Sequence, residues 1–433
     1  MVGRGAQVSD PRPQQVNGLL LRHHRPDVAP TLAGYRSDGG GVGLEKARAM
    51  DPRDVINEVK TSGLRGRGGA GFPTGLKWGF IPRDGEGPRY VVCNADEGEP
   101  GTFKDRDILR FDPFRLLEGL AIAGHAIGAQ LGFIYIRGEY LFEAQVVGRA
   151  IEEARAGGMF GECFDVLIYR GAGAYICGEE TALLNSLEGK KGQPRLKPPF
   201  PATSGLYGRP TLVNNVETLT CLPDIMAFGG EWYAGIGTPK NSGTKIFSLS
   251  GHVRRPGNYE LPLGTTLRTL VEDCGQGVLD GRNVQAIIPG GGSAPMLTAA
   301  HLDTPMTYDD MTRLGTMLGS GGVVVISDSA CIVGAVTRLA KFYAHESCGQ
   351  CVPCREGTGW MARLLARIEA GMGSEEDLEN LERLTGMVPG ITICALSDAA
   401  VGPVKSALTY FRSAFERHVR EHSCPQRRAA GGR

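Results

Sequence analysis

Three cysteines, Cys348, Cys351 and Cys354, are each separated by two residues, and this spacing restricts the fold of the chain more than any other feature. One tight loop with this spacing turns three thiolates toward a common point, as a corner of a [4Fe–4S] cluster requires. The fourth thiolate can come from elsewhere in the chain, and Cys394 is the candidate. The sequence therefore predicts a single [4Fe–4S] cluster bound by these four cysteines.

Two other interpretations of these cysteines are open. A structural zinc ion also accepts four sulfurs, but its usual pattern is two C-x-x-C pairs rather than three equally spaced cysteines. A disulfide framework fits less well, because eleven cysteines in 433 residues are dilute and unevenly spaced. The cysteine usage is typical of a protein in a reducing compartment.

Length and charge limit the classes of function. A chain of 433 residues is long enough for about three domains. The 47 acidic and 47 basic side chains cancel, so no overall charge attracts nucleic acid or an anionic membrane. The 64 glycines are about twice the usual proportion, which indicates places where backbone approaches a ligand closely.

No segment is predicted to cross or leave a membrane. The stretch from Leu116 to Ile136 is apolar over about the length of a membrane span, but it contains Glu118, His125 and several glycines. Helical spacing up to Ile127 followed by a short apolar run predicts a helix and then a strand. The N-terminus has arginines without a following apolar run, so we expect no secretory signal.

A glycine-rich loop follows a short helix predicted to begin at Asp51-Pro52. Gly66 to Gly71 has the pattern G-x-G-x-x-G, but a Rossmann fingerprint follows a strand and opens a helix, whereas here a helix precedes the loop and Pro73 follows it. We therefore expect no standard Rossmann fold. The loop can still bring backbone N–H groups to a flat or phosphorylated ligand. Positive charge nearby comes from Arg65, Arg67 and Lys77; the simpler alternative is a flexible surface loop.

Two predicted strands end in polar loops. Tyr90 to Cys93 leads into the acidic segment Asn94 to Gly101, and Phe164 to Tyr169 leads into the glycine and acidic segment Gly171 to Glu180. A helix is predicted from Thr181 to Leu187. Strand, polar loop and helix in this order are typical of a ligand crevice in an open α/β sheet, although a run of carboxylates is also a common solvated turn.

These motifs together resemble the NADH-binding flavoprotein subunit of respiratory complex I, in its bacterial form. The resemblance extends over about residues 44 to 418. It is carried by Gly63 to Trp78, Asn94 to Gly101, Tyr175 to Leu184, Arg195 to Pro201, Asn214 to Thr218 and the four cysteines. One difference is Ser397, where the family is expected to have glycine.

The resemblance implies which residues bind the cofactors. The four cysteines match the family's cluster ligands. Glu99 and Glu180 are expected to position the nucleotide, because carboxylates hydrogen-bond ribose hydroxyls; phenyl rings stack on adenine, and lysines face phosphate. FMN is expected among Gly66, Arg67, Gly68, Gly69, Lys77, Asn94, Asp96, Glu97, Tyr175, Gly178, Glu179, Glu180, Asn214, Asn215 and Thr218. NADH is expected against Gly69, Phe72, Lys77, Phe80, Glu99, Glu180, Lys197 and Phe200.

The expected fold class is α/β, in five segments. They are an extended N-terminal segment over residues 1–43, an FMN- and NADH-binding α/β domain over 44–240, a ubiquitin-like β-grasp domain over 241–330, a helical bundle with the cluster over 331–420, and a tail over 421–433. In the β-grasp domain, a helix is predicted near Leu267 to Cys274, and Gly290 to Gly292 is interpreted as a turn. Cys424 in the tail is expected to be inert.

The resemblance also implies the function. NADH would give a hydride to FMN, electrons would pass singly to the cluster, and no side chain would act as an acid or base. The implied partners are a thioredoxin-like [2Fe–2S] subunit and a large iron–sulfur subunit, which carry electrons toward quinone at the cytoplasmic face of the inner membrane. One alternative is the diaphorase subunit of a soluble NAD-linked hydrogenase or formate dehydrogenase, relatives that often carry an extension with further cysteines. A more distant alternative is a non-enzymatic metal-binding scaffold.

Overall fold

The computed structural model describes residues 18–25, 27–84 and 87–426. Within these ranges, no helix combines the length and the apolar character that a membrane crossing needs. The stretch from Leu116 to Ile136 is divided as predicted, because Gly128 takes a left-handed conformation after one helix and the chain then enters a strand.

The first unit contains most of the elements up to residue 234. Its helices are α1 (Leu32–Ser37), α2 (Val42–Ala49), α3 (Pro52–Thr61), α4 (Thr74–Gly79), α5 (Lys104–Phe111), α6 (Pro113–Ile127), α7 (Leu141–Ala156), α8 (Glu180–Leu187), α9 (Pro201–Ser204), α10 (Val216–Thr220), α11 (Leu222–Phe228) and α12 (Gly230–Ala234). Its strands are β1 (Tyr90–Ala95), β2 (Leu131–Ile136), β3 (Asp165–Arg170) and β4 (Thr211–Asn215).

The four strands form one parallel sheet in the order β3-β2-β1-β4. The chain runs outward from β1 to β3 on one side and then returns to place β4 on the other side of β1. The carboxyl ends of β1 and β4 therefore form a switch point, where open α/β sheets bind ligands. The glycine loop lies before β1, between α3 and α4, so the prediction that this is not a standard Rossmann fold is confirmed.

Both faces of this sheet are covered. One face packs against the large core that contains the apolar side of α6 and α3. The other face, with Val92 and Val213, packs against α8 and reaches Cys354 and Leu396. Alternation of side chains along β1 sends Val91 and Cys93 to the first core and Val92 to the second. The cysteine loop is thereby fixed against the back of the sheet.

The prediction of an extended N-terminal segment over residues 1–43 is wrong for the residues that the structure describes. Helix α1 lies within it, and Leu20 and Leu21 are buried in the main core. The carboxylate of Glu260 accepts hydrogen bonds from the backbone N–H groups of both leucines, at 2.8 and 3.0 Å. The part of the prediction that concerns residues 1–17 lies outside the described residues.

The second unit contains a mixed sheet. Its elements are β5 (Gly237–Thr238), β6 (Asn241–Ser242), β7 (Thr244–Gly251), β8 (Gly257–Pro262), β9 (Val284–Ile288), β10 (Leu297–Thr298), α13 (Tyr308–Arg313) and β11 (Gly322–Ser327). Five strands pair in the order β10-β9-β11-β7-β8, with β11 parallel to β7 and the other pairs antiparallel. This is the β-grasp arrangement expected from the sequence.

The helix predicted near Leu267 to Cys274 is a π-helix over Thr269–Cys274. The N–H of Gly275 reaches back five residues to the carbonyl of Leu270, at 2.9 Å. The wider turns still bury Leu270 and Val271 under the sheet. Sequence periodicity predicts that the segment is helical, but it does not distinguish the two hydrogen-bond patterns.

The third unit is a bundle of α14 (Ile332–Glu346), α15 (Val352–Glu369), α16 (Glu375–Met387) and α17 (Leu396–Glu421). Ser374 caps α16 in a capping box with Asp377, as its position predicts. Cys348 and Cys351 lie in the loop between α14 and α15, and Cys354 lies in the first turn of α15. The expectation that Cys424 is inert needs revision, because its side chain is buried against this bundle at 4% exposure.

Candidate functional site

A cavity of about 610 Å³ lies where the three units meet, at the switch point of the parallel sheet. Its walls come from the glycine loop, the Asn94–Glu99 segment after β1, the loop from Tyr175, the β-grasp segments at Gly290 and Thr316, and the start of α17. This volume is in the range of pockets that hold a cofactor-sized ligand. Gly290 belongs to the segment that the sequence analysis interpreted as a turn, and the structure shows that it also lines the cavity.

The glycine loop brings bare backbone to this cavity. Gly68 and Gly69 line it, and Gly69 has φ 143°, where a side chain is strongly disfavoured. A Cβ at Gly68 would lie 3.0 Å from Cβ of Asn215, so only glycine fits there without displacing the β4 end. The loop is closed by a 2.8 Å hydrogen bond from the N–H of Gly66 to the carbonyl of Phe72. Backbone approach of this kind suits a flat or phosphorylated ligand.

Asp96 is the side chain that most directly indicates a ligand. Its Oδ2 is buried and has no hydrogen-bond partner among the described residues, and the residue lines the cavity. Burial raises the pKa of Asp96 to about 7, although Arg137 acts in the opposite direction. A buried polar atom without a partner costs stability, so a donor from a ligand fits this position. Asn94 supports the segment by donating to the carbonyl of Gly178 at 2.8 Å.

Glu97 is occupied by the protein. Its carboxylate accepts hydrogen bonds from the backbone N–H groups of Asp105 and Arg106 at the start of α5 and from the hydroxyl of Tyr140. Burial raises the pKa of Glu97 to about 7, and the charge of Asp105 adds to this effect. Although Glu97 lines the cavity, the structure gives its carboxylate the role of fixing α5 beside the cavity.

Glu99 joins the three units. Its carboxylate accepts a hydrogen bond from the hydroxyl of Tyr175 at 2.7 Å and from the backbone N–H of Ser293 in the β-grasp unit at 2.7 Å. The hydroxyl of Tyr343 in α14 donates at 3.4 Å. These donors are neutral, so the negative charge of Glu99 remains at the cavity wall that it lines.

A charged group forms the rim near the glycine loop. Lys77 donates to Glu180 at 2.9 Å, and Lys197 donates to both Glu179 and Glu180, at 2.9 and 3.1 Å. Burial acts to raise the pKa of Glu180, but the two lysines lower it below its ordinary value. Glu179 also caps α8 through the N–H groups of Thr181 and Ala182.

Three predicted aromatic residues are exposed on this side of the molecule. Phe72, Phe80 and Phe200 are 45%, 53% and 56% exposed, respectively. The rings of Phe72 and Phe80 are 6.3 Å apart and tilted by 44°. Exposed phenyl rings beside glycine-rich backbone can stack on a planar ligand.

Three other predicted binding residues support the cavity from behind. The guanidinium of Arg67 is fully buried and donates to the carbonyl of Ser242 at 2.8 Å and the hydroxyl of Tyr233 at 3.2 Å, so its charge does not face the cavity. Thr218 accepts the backbone N–H of Arg67 at 2.8 Å, and Asn214 accepts the indole N–H of Trp78 at 2.9 Å. Their side chains hold the glycine loop and α4 in place.

The sequence analysis did not identify a buried charge cluster behind Asn215. Lys104, which lines the cavity, lies 2.7 Å from Asp105 and 2.8 Å from Glu217. Burial acts to lower the pKa of Lys104, but Asp105 and Glu217 raise it above its ordinary value. Burial lowers the pKa of Lys245 to about 7, although Glu217 acts in the opposite direction. Lysines and carboxylates in buried helix and strand positions were the available signal.

The four predicted cluster ligands lie together against the apolar layer of α8 and Ile176. The N–H of Ile393 donates to Sγ of Cys351 at 3.4 Å, which joins the Cys394 segment to the cysteine loop. Burial raises the pKa of Cys354, and the nearby Cys348 and Cys351 thiols raise it further. Four converging soft ligands in an apolar setting fit an iron–sulfur cluster. Cys394 also lines the cavity, so the two candidate sites share a wall.

Ser397, where glycine was expected, is fully buried at the start of α17. Its hydroxyl is 2.7 Å from the hydroxyl of Thr392 and donates to Asp398 at 3.2 Å. Thr392 in turn donates to the carbonyl of Cys394 at 2.9 Å. The serine is thus accommodated by hydrogen bonds that hold the fourth-cysteine segment in place.

Three family models match the chain. The model for the Nuo51 FMN-binding domain matches residues 59–224, the SLBB domain model matches 246–296, and the model for the NADH-ubiquinone oxidoreductase-F iron-sulfur binding region matches 334–418. Together with the cavity and the cysteines, they define the class of the protein. It is an oxidoreductase subunit that carries FMN and a [4Fe–4S] cluster and acts on NADH.

Relatives identify the family within this class. A relative in Rhizobium meliloti, the second F subunit of its NADH-quinone oxidoreductase, is 52% identical over 94% of this chain and 99% of that protein. The F subunit of the NADH-quinone oxidoreductase of Streptomyces coelicolor is 49% identical over 92% of this chain and 90% of that protein. The chain belongs to the family of NADH-quinone oxidoreductase F subunits. It is the NADH dehydrogenase subunit of a multi-subunit complex, as the resemblance implies.

The fold is also similar to solved structures of another complex. An NAD⁺-reducing [NiFe]-hydrogenase in its air-oxidized state has a chain with a TM-score of 0.82 and 38% identity, covering 92% of this chain and 67% of that chain. Its H2-reduced state gives 0.82 and 36%, with 95% and 71% covered. The relatives of higher identity favour the complex I subunit over the hydrogenase diaphorase alternative.

Replacing Cys354 by serine tests the cluster site. A serine hydroxyl is a harder, weaker ligand for iron than a thiolate, so we expect the paramagnetic signal of the reduced cluster to disappear and bound flavin to remain. NADH should still bleach the flavin in this variant. The measurements are electron paramagnetic resonance and visible absorbance, with the exposed Cys163→Ser as control. An unchanged cluster signal in Cys354→Ser would exclude Cys354 as a ligand.

Proposed function

We propose that the cavity at the switch point holds FMN, with Asp96 facing it from one side and Cys394 from another. The observation that carries this assignment is the buried Oδ2 of Asp96, which lines the same cavity as a predicted cluster ligand and has no partner among the described residues. When bound, FMN accepts a hydride from NADH and releases electrons one at a time to an iron–sulfur cluster. A shared wall favours this transfer because the two groups are then close.

In this proposal, each group of residues has one task. The N–H groups of Gly68 and Gly69 bind the flavin or its phosphate, because their backbone lines the cavity without side chains. Asn215 fixes the opposite wall by donating to Asp105 at 2.6 Å. Lys104 adds a buried positive charge near this wall. The remaining predicted FMN residues, including Arg67, Glu97, Asn214 and Thr218, act by holding these elements.

NADH is proposed to bind along the rim. The exposed rings of Phe72, Phe80 and Phe200 offer stacking surfaces for adenine. Lys77 and Lys197 are available to the pyrophosphate once their bonds to Glu180 rearrange. Glu99 is proposed to accept a hydrogen bond from the ribose, with Glu180 as the second candidate. None of these side chains transfers a proton; they bind, orient the nucleotide and exclude water.

The proposed partners are a thioredoxin-like [2Fe–2S] subunit and a large iron–sulfur subunit, on the cytoplasmic face of the inner membrane. Large apolar side chains are exposed on the segments that carry the cysteines and on the neighbouring helix end: Val352, Trp360, Met387 and Ile391. Exposed apolar residues in one region are typical of a protein interface. A partner that covers them would receive electrons through the shortest route from the cluster.

The pH dependence of flavin binding tests the role of Asp96. A carboxylate accepts a hydrogen bond more strongly than a carboxylic acid, so a ligand donor on Oδ2 favours the charged form. Because the pKa of Asp96 is raised to about 7, FMN affinity should increase as pH rises from about 6 to 8, by roughly fivefold for about 1 kcal/mol. Asp96→Asn should flatten this rise. Quenching of FMN fluorescence by flavin-depleted protein measures it, and a flat wild-type profile would contradict the assignment.

Nucleotide preference tests Glu99. The 2′-phosphate of NADPH removes the ribose hydroxyl that the carboxylate would bind and adds a repelled charge. Glu99→Gln should therefore raise the ratio of kcat/KM for NADPH to that for NADH, by about 5- to 150-fold for roughly 1 to 3 kcal/mol. The assay uses ferricyanide as electron acceptor.

Glu97→Gln serves as the matched control for this test, because Glu97 lines the cavity but its carboxylate is bound to α5. Its ratio should stay near the wild-type value. A ratio that Glu99→Gln leaves unchanged would remove Glu99 from the ribose site and leave it with its role of joining the three units.

A further inference from the structure

A second group of metal-ligand side chains lies outside the cavity and the cysteine loop. Cys331, His418 and Cys424 each offer one ligand atom, and these three atoms lie within 4.8 Å of one another. Sγ of Cys331 is 3.3 Å from Nε2 of His418. Around a tetrahedral zinc ion, with Zn–S near 2.3 Å and Zn–N near 2.0 Å, ligand atoms are about 3.5 to 3.8 Å apart. The three atoms are thus almost at coordination distances.

The histidine is held in the form that a metal requires. Nδ1 of His418 lies 2.7 Å from the backbone carbonyl of Ala414. A carbonyl only accepts hydrogen bonds, so Nδ1 carries the proton and Nε2 presents a lone pair toward Cys331. A metal-binding histidine typically has a backbone carbonyl or a carboxylate on its other nitrogen.

The two cysteines come from separate segments. Cys331 is the N-cap of α14 and accepts the N–H of Gly334 at 3.3 Å, which stabilises a thiolate at that helix end. Cys424 follows the end of α17, where His422 takes a left-handed conformation that turns the chain back. The turn is also held by Nδ1 of His422, 3.3 Å from the carbonyl of Gly371. A buried thiol in this position is directed inward, which is unusual for a polar chain end.

We propose that Cys331, His418 and Cys424 bind one zinc ion, which ties the end of α17 to the start of α14. Two thiols and one imidazole are soft and borderline ligands that suit Zn²⁺, and binding exchanges two thiol protons for the ion. The fourth ligand is water or Glu369. The Oε1 of Glu369 would be 3.4 Å from a Cβ at Gly334, beside Cys331.

The site lies at the opposite end of α14 from the iron–sulfur ligands. Cys331 precedes this 15-residue helix and Cys348 follows it, so the helix separates them by about 22 Å. The zinc ion is therefore separate from the cluster and has no part in electron transfer, since Zn²⁺ has no redox chemistry. Its role is structural: it fixes the first and last helices of the bundle that holds the cluster.

Metal analysis of the full chain tests this proposal. The protein is produced without a histidine tag in zinc-supplemented medium, purified anaerobically with its cofactors, and dialysed against metal-free buffer. We expect about one zinc per chain in the wild type and less than about 0.2 in Cys331→Ser and Cys424→Ser. Iron should be equal in all three, which shows that the bundle is folded. Cys274→Ser, which removes a buried thiol in the β-grasp core, is the matched control and should keep its zinc.

X-ray absorption at the zinc edge identifies the ligands without interference from iron. We expect two sulfurs near 2.3 Å and one nitrogen near 2.0 Å. Zinc that is lost from the wild type on dialysis, or that both serine variants retain, would overturn the proposal. Four sulfurs would also overturn it, because zinc would then occupy the cluster site. A Cys331–Cys424 disulfide in the anaerobic protein, detected by mass spectrometry, would overturn it as well.

Discussion

The hydrogen bonds of the Glu99 carboxylate hold the functional part of this structure together. One oxygen accepts from Tyr175 in the α/β unit, and the other accepts from Ser293 in the β-grasp unit and, at longer distance, from Tyr343 in the bundle. The cavity exists only where these three units meet. A carboxylate with several neutral donors is stabilised without losing its charge, so the same group can join the units and select a nucleotide.

Behind the cavity, a buried charge cluster sets the positions of its walls. Glu217 is fully buried between Lys104 and Lys245, and burial alone would raise its pKa, but the two lysines lower it. Removing one member of such a group leaves an uncompensated buried charge, which is strongly destabilising. The cluster connects α5, α10 and β7, so the glycine loop, the β4 end and the β-grasp sheet are fixed relative to each other. Rigid walls are what a bound flavin requires for a fixed orientation.

The sequence predicted the elements and the ligand types well, because both depend on local patterns. The Asp51 cap, strand β1 and the cysteine loop follow from spacing and from residue chemistry alone. It failed where the outcome depends on contacts between distant segments. The inward direction of the Arg67 guanidinium depends on Ser242 and Tyr233, which lie far along the chain. In the same way, Leu20 and Leu21 are ordered by Glu260, and the group around Cys424 is formed only by tertiary packing.

The central claim is that FMN lies in the cavity that Asp96 and Cys394 share. An experimental structure of the protein purified with its flavin tests this most directly. The account predicts density for the isoalloxazine ring in this cavity, with a flavin donor within hydrogen-bond distance of Oδ2 of Asp96 and the ring between the glycine loop and the cluster. Flavin density at any other place, with the cavity filled only by water, would contradict it.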